Sequence, residues 1–120
     1  MSRCARAGTP TWGYEFAHPV ASADGGSPHA TDVPFVFGTH GHSHFSGKIG
    51  DAAAATATSE SMMSAWVAFV RDGQPALASG ASWPRFDPAQ PAVVQFGRPA
   101  GASAIAVERQ HALDCWPAYR

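Results

Sequence analysis

The stretch SPHATDVPFVFG, residues 27–38, places a histidine three positions before an acid and then ends in a short apolar run. The shortness of that run and the proline within it, Pro34, leave open whether residues 33–38 form a helix or a strand. Loops that lead into a structural element commonly carry functional side chains. His29 is therefore the first candidate for chemistry, and an ordinary surface histidine is the alternative.

Hydrophobic periodicity defines the elements on either side of this stretch. Alternating aromatic residues in TWGYEFAHP, residues 11–19, predict a β-strand that Pro19 ends. In residues 59–75 apolar residues at helical spacing predict an amphipathic helix, with Ser59 as its N-cap and Gly73 at its end. The apolar stripe, which we expect to face the core, consists of Met62, Trp66, Phe69 and Val70.

Three further segments complete the predicted organisation. The pattern of AVVQFG, residues 92–97, is typical of a short strand, and that of VERQHALDCWPAY, residues 107–119, indicates a closing helix. Residues 39–58 are rich in glycine, histidine, serine and alanine, and we expect them to form a flexible loop. The chain is therefore predicted to combine short strands with two helices.

Composition argues against several classes of partner. The net charge is −1 and Lys48 is the only lysine, so no basic surface is expected for nucleic acid or an anionic membrane. No apolar run approaches the roughly 18 residues of a membrane-spanning helix, and the start MSRCARAGTP lacks the apolar core of a signal peptide. The sequence does not fix the compartment, although the missing export signal favours the cytoplasm. Reduced Cys4 and Cys115 are expected there, with a disulfide between them as the alternative, and no cofactor is expected.

The order of these pieces resembles the C-terminal part of a type-B carboxylesterase, the family of the para-nitrobenzyl esterases and the cholinesterases. The resemblance rests on TWGYEFAHP, SPHATDVPFVFG, MMSAWVAFVRDGQPA, WPRFDP and AVVQFG, and it runs from about Arg6 to Gly97. It implies an α/β class, with residues 1–120 as the C-terminal fragment of an α/β-hydrolase fold. That fragment would hold one or two sheet strands, a long loop, a Trp-containing helix, a short strand and a closing helix.

The resemblance also implies roles for three residues. In the family the histidine of the His-x-x-acid motif is the base of a catalytic triad, and the matching residue is His29. It would take a proton from a serine hydroxyl and return it to the leaving alcohol, which suits an imidazole because imidazoles titrate near neutral pH. Asp32 matches the acid of the motif and is expected to be structural, as an N-cap for the element that follows. Phe35 is expected to pack in the core, and a place in the substrate pocket is the alternative.

The remaining parts of an ester hydrolase are missing from the sequence. An α/β-hydrolase presents its serine in a Gly-x-Ser-x-Gly elbow ahead of the histidine. The nearest stretch, GHSHF at residues 41–45, has Phe45 in place of the second glycine and follows His29. A Gly-rich oxyanion loop and an upstream acid are missing too. Because loss of the serine alone costs on the order of 10⁴–10⁶ in rate, we expect the chain to be inactive by itself.

Two functions of different classes follow. In the first, an N-terminal segment completes the site and a small-molecule ester is the substrate. In the second, the chain is a non-catalytic interaction or structural remnant that self-associates through exposed apolar strand surface. Each large aromatic left uncovered on the strand at residues 11–19 forfeits roughly 4–6 kcal/mol of burial. Both functions therefore predict poor solubility or self-association of the isolated chain.

A histidine triplet, His40, His42 and His44, is a weak candidate for a metal site. On an extended strand the alternating residues would point to one face, and three imidazoles there suit Zn²⁺, Cu²⁺ or Ni²⁺. Glycine and serine flank the triplet, and the sequence offers no partners to orient the rings. A solvated loop that holds no resident metal is the prediction, and weak metal binding is the alternative.

Overall fold

A computed structural model of the chain describes residues 2–21, 27–45, 47–98 and 102–106. Within these residues it contains helices α1, α2 and α3, one 3₁₀ turn, and strands β1, β2 and β3. In chain order the elements are α1 (Ser2–Arg6), β1 (Tyr14–Phe16), α2 (Val33–Val36), the 3₁₀ turn (Ser43–Phe45), α3 (Ala52–Asp72), β2 (Ala92–Phe96) and β3 (Ala102–Ala106).

The three strands form one sheet in the order β1-β2-β3. β1 and β2 are parallel, with Tyr14 opposite Val94 and Phe16 opposite Phe96. β3 is antiparallel to β2. A parallel pair needs a long crossover connection, and here that connection contains α2 and α3. The stretch that carries His29 lies in the same connection, between β1 and α3.

The core lies between the sheet and the two helices of the crossover. Its wholly buried members include Val94 and Phe96 from β2, Met62 from α3 and Phe35 from α2. Phe16 of β1 packs edge-on against Phe35 with ring centroids 4.9 Å apart. The short helix α2, which begins just after the predicted histidine motif, is thereby fixed to the sheet.

Helix α3 is longer than the sequence pattern predicts. It begins at Ala52, where the Asp51 side chain accepts a hydrogen bond of 2.7 Å from the Ala54 amide. Ser59, the predicted N-cap, is buried within the helix and donates its hydroxyl to the Phe35 carbonyl. The loop predicted over residues 39–58 therefore ends at Asp51. Alanine has the highest helix propensity, so the Ala-rich segment continues the helix rather than the loop.

The packed face of α3 is the predicted one only in part, since Trp66 packs against the core but two other residues of the stripe do not. Met62 is wholly buried as expected, but Phe69 is 48 % exposed and Val70 is 83 % exposed. The other buried residues of the helix are small: Ala55, Thr58, Ser59, Ala65 and Ala68. Small side chains let the helix backbone approach its neighbours closely, so they occupy the packed face. Phe69 and Val70 are left on the outer side.

The remaining predicted helices and strands agree with the structure in part. Strand β2 and the end of α3 at Gly73, which adopts a φ of 72°, agree with the sequence pattern. Helix α1 and strand β3 were not expected. The closing helix predicted at residues 107–119 lies outside the described residues, as does Cys115. Of the helices in the described part of the chain, none has the length and apolarity needed to cross a membrane.

Candidate functional site

His29 occupies the corner of a tight turn between β1 and α2. The Thr31 amide donates to the Pro28 carbonyl over 3.2 Å, which closes a turn of residues 28–31. Ala30, the third residue of the turn, has a φ of 65°, which is the pattern of a type II turn. His29 is the second residue, and its side chain is exposed. The turn therefore presents the imidazole outward from the fold.

The left-handed conformation of Ala30 gives a stability prediction. This conformation costs an alanine roughly 1–2 kcal/mol, and glycine adopts it freely. We expect Ala30→Gly to raise the free energy of unfolding by up to about 1 kcal/mol, measured by urea denaturation. The matched control is Ala57→Gly inside α3, which should lower it by about 1 kcal/mol. A loss of stability in Ala30→Gly similar to that of the control would show that the turn is not held in this conformation.

Both ends of the turn are attached to β1 and its continuation. Before the turn, the Ser27 hydroxyl donates to the His18 carbonyl over 2.6 Å. After the turn, the Tyr14 hydroxyl donates to Asp32 Oδ2 over 2.6 Å. Half-burial of Tyr14 raises the pKa of its hydroxyl, and the hydrogen bond to Asp32 and the charge of that carboxylate raise it further. The hydroxyl is consequently a persistent donor at neutral pH.

Asp32 does not cap a helix in the way that the sequence predicts. It is the residue before α2, but its φ of −72° and ψ of −29° are helical, and its side chain makes no capping hydrogen bond. A capping side chain usually sits on extended backbone, from which it reaches the amides of the first turn. The carboxylate instead accepts from Tyr14. Sequence reasoning missed this pairing because the two residues are eighteen positions apart.

Phe35 lies in the core and has no exposed surface. Its ring lies between two imidazoles, with centroids 5.0 Å from His18 and 5.4 Å from His40. Phe35 therefore packs in the core as expected, and its role as a candidate for the substrate pocket stays a prediction. Phe35 is buried because α2 directs it onto β1 and α3 rather than outward.

His18 is a residue that sequence analysis passed over. Its side chain is 1 % exposed and its Nε2 lies 2.9 Å from the Ile49 carbonyl. The backbone of His18 runs against Gly97, and its carbonyl holds Ser27. No motif or periodicity distinguishes this histidine, so only its position in the fold reveals that it supports the loop before His29.

The histidine triplet does not form a metal site in the described residues. Residues 43–45 form a 3₁₀ turn instead of an extended strand, so alternation no longer places the rings on one face. His40 stacks on Phe35, and the His44 amide donates to His42 Nδ1 over 3.2 Å. Across the described part of the chain, no three histidine, cysteine, aspartate or glutamate residues gather in a group that could bind a metal ion.

An apolar groove of about 740 Å³ opens beside Tyr14 and Asp32. Exposed apolar side chains line it, notably Phe37, which is 73 % exposed, and Val70, which is 83 % exposed. A continuous apolar surface of this kind usually marks a place where another part of a protein binds. The groove lies beside Asp32, just after the histidine turn. Its apolar lining is suited to contact with another polypeptide segment.

Comparisons with known proteins agree with this architecture. The family model described as carboxylesterase family matches residues 1–116. Carboxylesterase EST55 of Geobacillus stearothermophilus is similar in structure, with a TM-score of 0.73 and 23 % identity over 93 % of this chain and 23 % of that one. An esterase of the anaerobe Clostridium hathewayi, described as able to hydrolyse aliphatic aromatic polyesters, has a TM-score of 0.71 and 21 % identity over 85 % of this chain and 20 % of that one.

A PNB esterase is similar at a TM-score of 0.68 and 20 % identity, over 87 % of this chain and 20 % of that one. The comparison with curated proteins gave no match. The structural likenesses show that this chain shares the fold of the matching part of those structures, and it spans about a fifth of their length. With a family model matched over nearly its whole length, the chain belongs to the carboxylesterase family.

Proposed function

We propose that this chain supplies the general base of a carboxylic-ester hydrolase and that His29 is that base. The observation that carries the proposal is the exposed turn between β1 and α2 in which His29 sits at the outer corner, in a chain of the carboxylesterase family. A histidine presented in this way can meet a serine brought to it by another part of the same fold.

The chemistry assigns both halves of the cycle to one imidazole. The neutral ring of His29 takes the proton from the serine hydroxyl as its oxygen attacks the ester carbonyl. The resulting imidazolium gives that proton to the departing alcohol. In the second half the ring activates a water molecule in the same way, and the acid and the free serine are released.

The other groups of the site come from outside this chain. We assign the orientation of the His29 ring to a residue other than Asp32, because the Asp32 carboxylate accepts from Tyr14 and no hydrogen bond joins it to His29 within the described residues. The sequence holds no Gly-x-Ser-x-Gly elbow. The serine, the orienting acid and the oxyanion donors therefore belong to the remaining part of the domain, which makes up about four fifths of the similar structures.

The remaining part of the domain is also the partner that we propose for the exposed surface. β1 is an edge strand of the described sheet, and the apolar groove lies beside it. The Gly13 carbonyl and the Ala17 amide bond to β2, so the alternation of a parallel ladder directs the backbone groups of Tyr14 and Phe16 to the open edge. An additional strand pairing there would cover the edge and place its own loops near His29.

Self-association by a non-catalytic chain is the second candidate, and the same surface favours it. Exposed Phe37 and Val70 give two copies an apolar face to share. Analytical ultracentrifugation separates the two functions when it is combined with the experiment below. A stable dimer whose histidine turn has no catalytic use would support the second candidate.

A graft tests the proposal. Residues 27–38 replace the stretch aligned with them in the Geobacillus stearothermophilus carboxylesterase, and hydrolysis of a short-chain para-nitrophenyl ester is measured. If His29 is a competent base, the grafted enzyme keeps hydrolytic activity that depends on His29. A folded graft whose residual activity does not depend on His29 would contradict the proposal.

A further inference from the structure

The ring of Tyr14 is fixed on two sides by aromatic neighbours. It packs edge-on against Trp66 of α3 with centroids 5.0 Å apart, and edge-on against Phe96 of β2 with centroids 6.2 Å apart. Such pairs are favourable beyond the burial of their surface and restrict the orientation of the ring. The hydroxyl of Tyr14 therefore has a defined position at the open edge of the sheet.

The Tyr14 hydroxyl donates to the carboxylate of Asp32, which makes no capping hydrogen bond to α2. Asp32 stands directly before α2 without capping it, and its Oδ2 accepts from Tyr14 over 2.6 Å. A hydrogen bond to an ionised carboxylate is stronger than one between neutral groups. The hydrogen bond between Tyr14 and Asp32 thus connects the chain after the histidine turn to β1.

The backbone conformation of the turn has to be held by contacts with the rest of the chain. Ala30 holds a φ of 65°, a conformation that persists only where the surrounding structure imposes it. On the upstream side the constraint is the hydrogen bond that the Ser27 hydroxyl donates to the His18 carbonyl. On the downstream side it is the Tyr14–Asp32 hydrogen bond. His29 lies between these two attachments.

We propose that Tyr14 is a positioning residue for His29, because its hydroxyl, through Asp32, fixes the turn that presents the imidazole. The value of this position for ester hydrolysis rests on the proposed function. The connection between Tyr14 and the turn is a property of the chain itself and is testable without any substrate.

Backbone ¹⁵N relaxation of the 120-residue chain is the test. Tyr14→Phe keeps the ring and its contacts and removes only the hydroxyl. We expect the order parameters of His29 and Ala30 to fall from about 0.85, the value of rigid backbone, to about 0.6, while those of α3 stay unchanged. The matched control, Ser61→Ala, removes a hydroxyl that bonds within α3, and it should leave the turn unaffected.

A second pair of variants separates positioning from general loss of structure. Asp32→Asn keeps an oxygen that can accept from Tyr14, so it should keep the turn ordered, whereas Asp32→Ala should loosen it as Tyr14→Phe does. The proposal is overturned if the turn is already mobile in the parent chain, if Tyr14→Phe leaves it ordered, if α3 loosens equally, or if the two Asp32 variants behave alike. Failure of the graft would instead overturn the role of His29 and leave these relaxation results in force.

Discussion

His29→Ala in the grafted esterase is expected to lower kcat for a para-nitrophenyl ester by about 10⁴-fold or more. The reason is that, without an imidazole, the serine keeps its proton as it attacks and the leaving alcohol receives none. Members of a catalytic triad act as one unit, so removal of the base costs almost as much as removal of the nucleophile. The loss should fall on kcat, with KM changed little, since the imidazole acts on the reacting atoms rather than on the remainder of the substrate.

The matched control is the neighbouring substitution Ala30→Gly in the same graft. It keeps the imidazole and removes the strain of the turn, so the rate should stay within about threefold of the grafted parent. If His29→Ala and Ala30→Gly had equal rates close to the grafted parent, the base would lie elsewhere.

Gly97→Ala is expected to be the most damaging substitution for the fold of the chain. Gly97 follows β2 with a φ of 100°, and a Cβ placed there would lie 2.5 Å from the His18 amide nitrogen and 2.6 Å from its Cα. Those atoms belong to backbone and cannot rotate away. A strained φ costs roughly 1–2 kcal/mol and overpacking adds typically 1–3 kcal/mol, so we expect a loss of about 3 kcal/mol in the free energy of unfolding.

Gly80→Ala is the control for that experiment. Gly80 has a similarly positive φ of 75°, but a Cβ there meets no atom within 4 Å. Its cost should be limited to the backbone strain of about 1 kcal/mol. Urea denaturation of the two variants beside the parent measures the difference. Equal losses would show that His18 does not press against Gly97, and would remove the support inferred for the loop before His29.

The elements that sequence reasoning located correctly are those with a dominant local signal. The alternation of aromatic residues that includes Tyr14 and Phe16 predicted the first strand, and a run of β-branched residues predicted β2. The helix was found, but its start and a large part of its packed face were not. Alanine, serine and threonine carry little hydrophobic signal, so a pattern based on large residues missed the face on which α3 packs, and the cap at Asp51 was overlooked.

The candidate site shows a different limit. His29 was singled out through a family motif, whereas the contacts beside its turn involve the φ of Ala30 and the hydrogen bond from Tyr14 to Asp32. No pattern in the linear sequence predicts that a tyrosine hydroxyl eighteen positions away donates a hydrogen bond to the carboxylate of Asp32. The alternative of a metal site at the histidine triplet required an extended backbone, whereas the chain forms a 3₁₀ turn at Ser43–Phe45.

The central claim is that this chain holds the base of an ester hydrolase without its nucleophile. Hydrolysis of para-nitrophenyl acetate by the purified 120-residue chain, beside its His29→Ala variant, tests that claim most directly. We predict equal rates for the two proteins, no higher than that of free imidazole at the same concentration. A rate well above free imidazole that disappears in His29→Ala would contradict the claim and place a complete catalytic site within these residues.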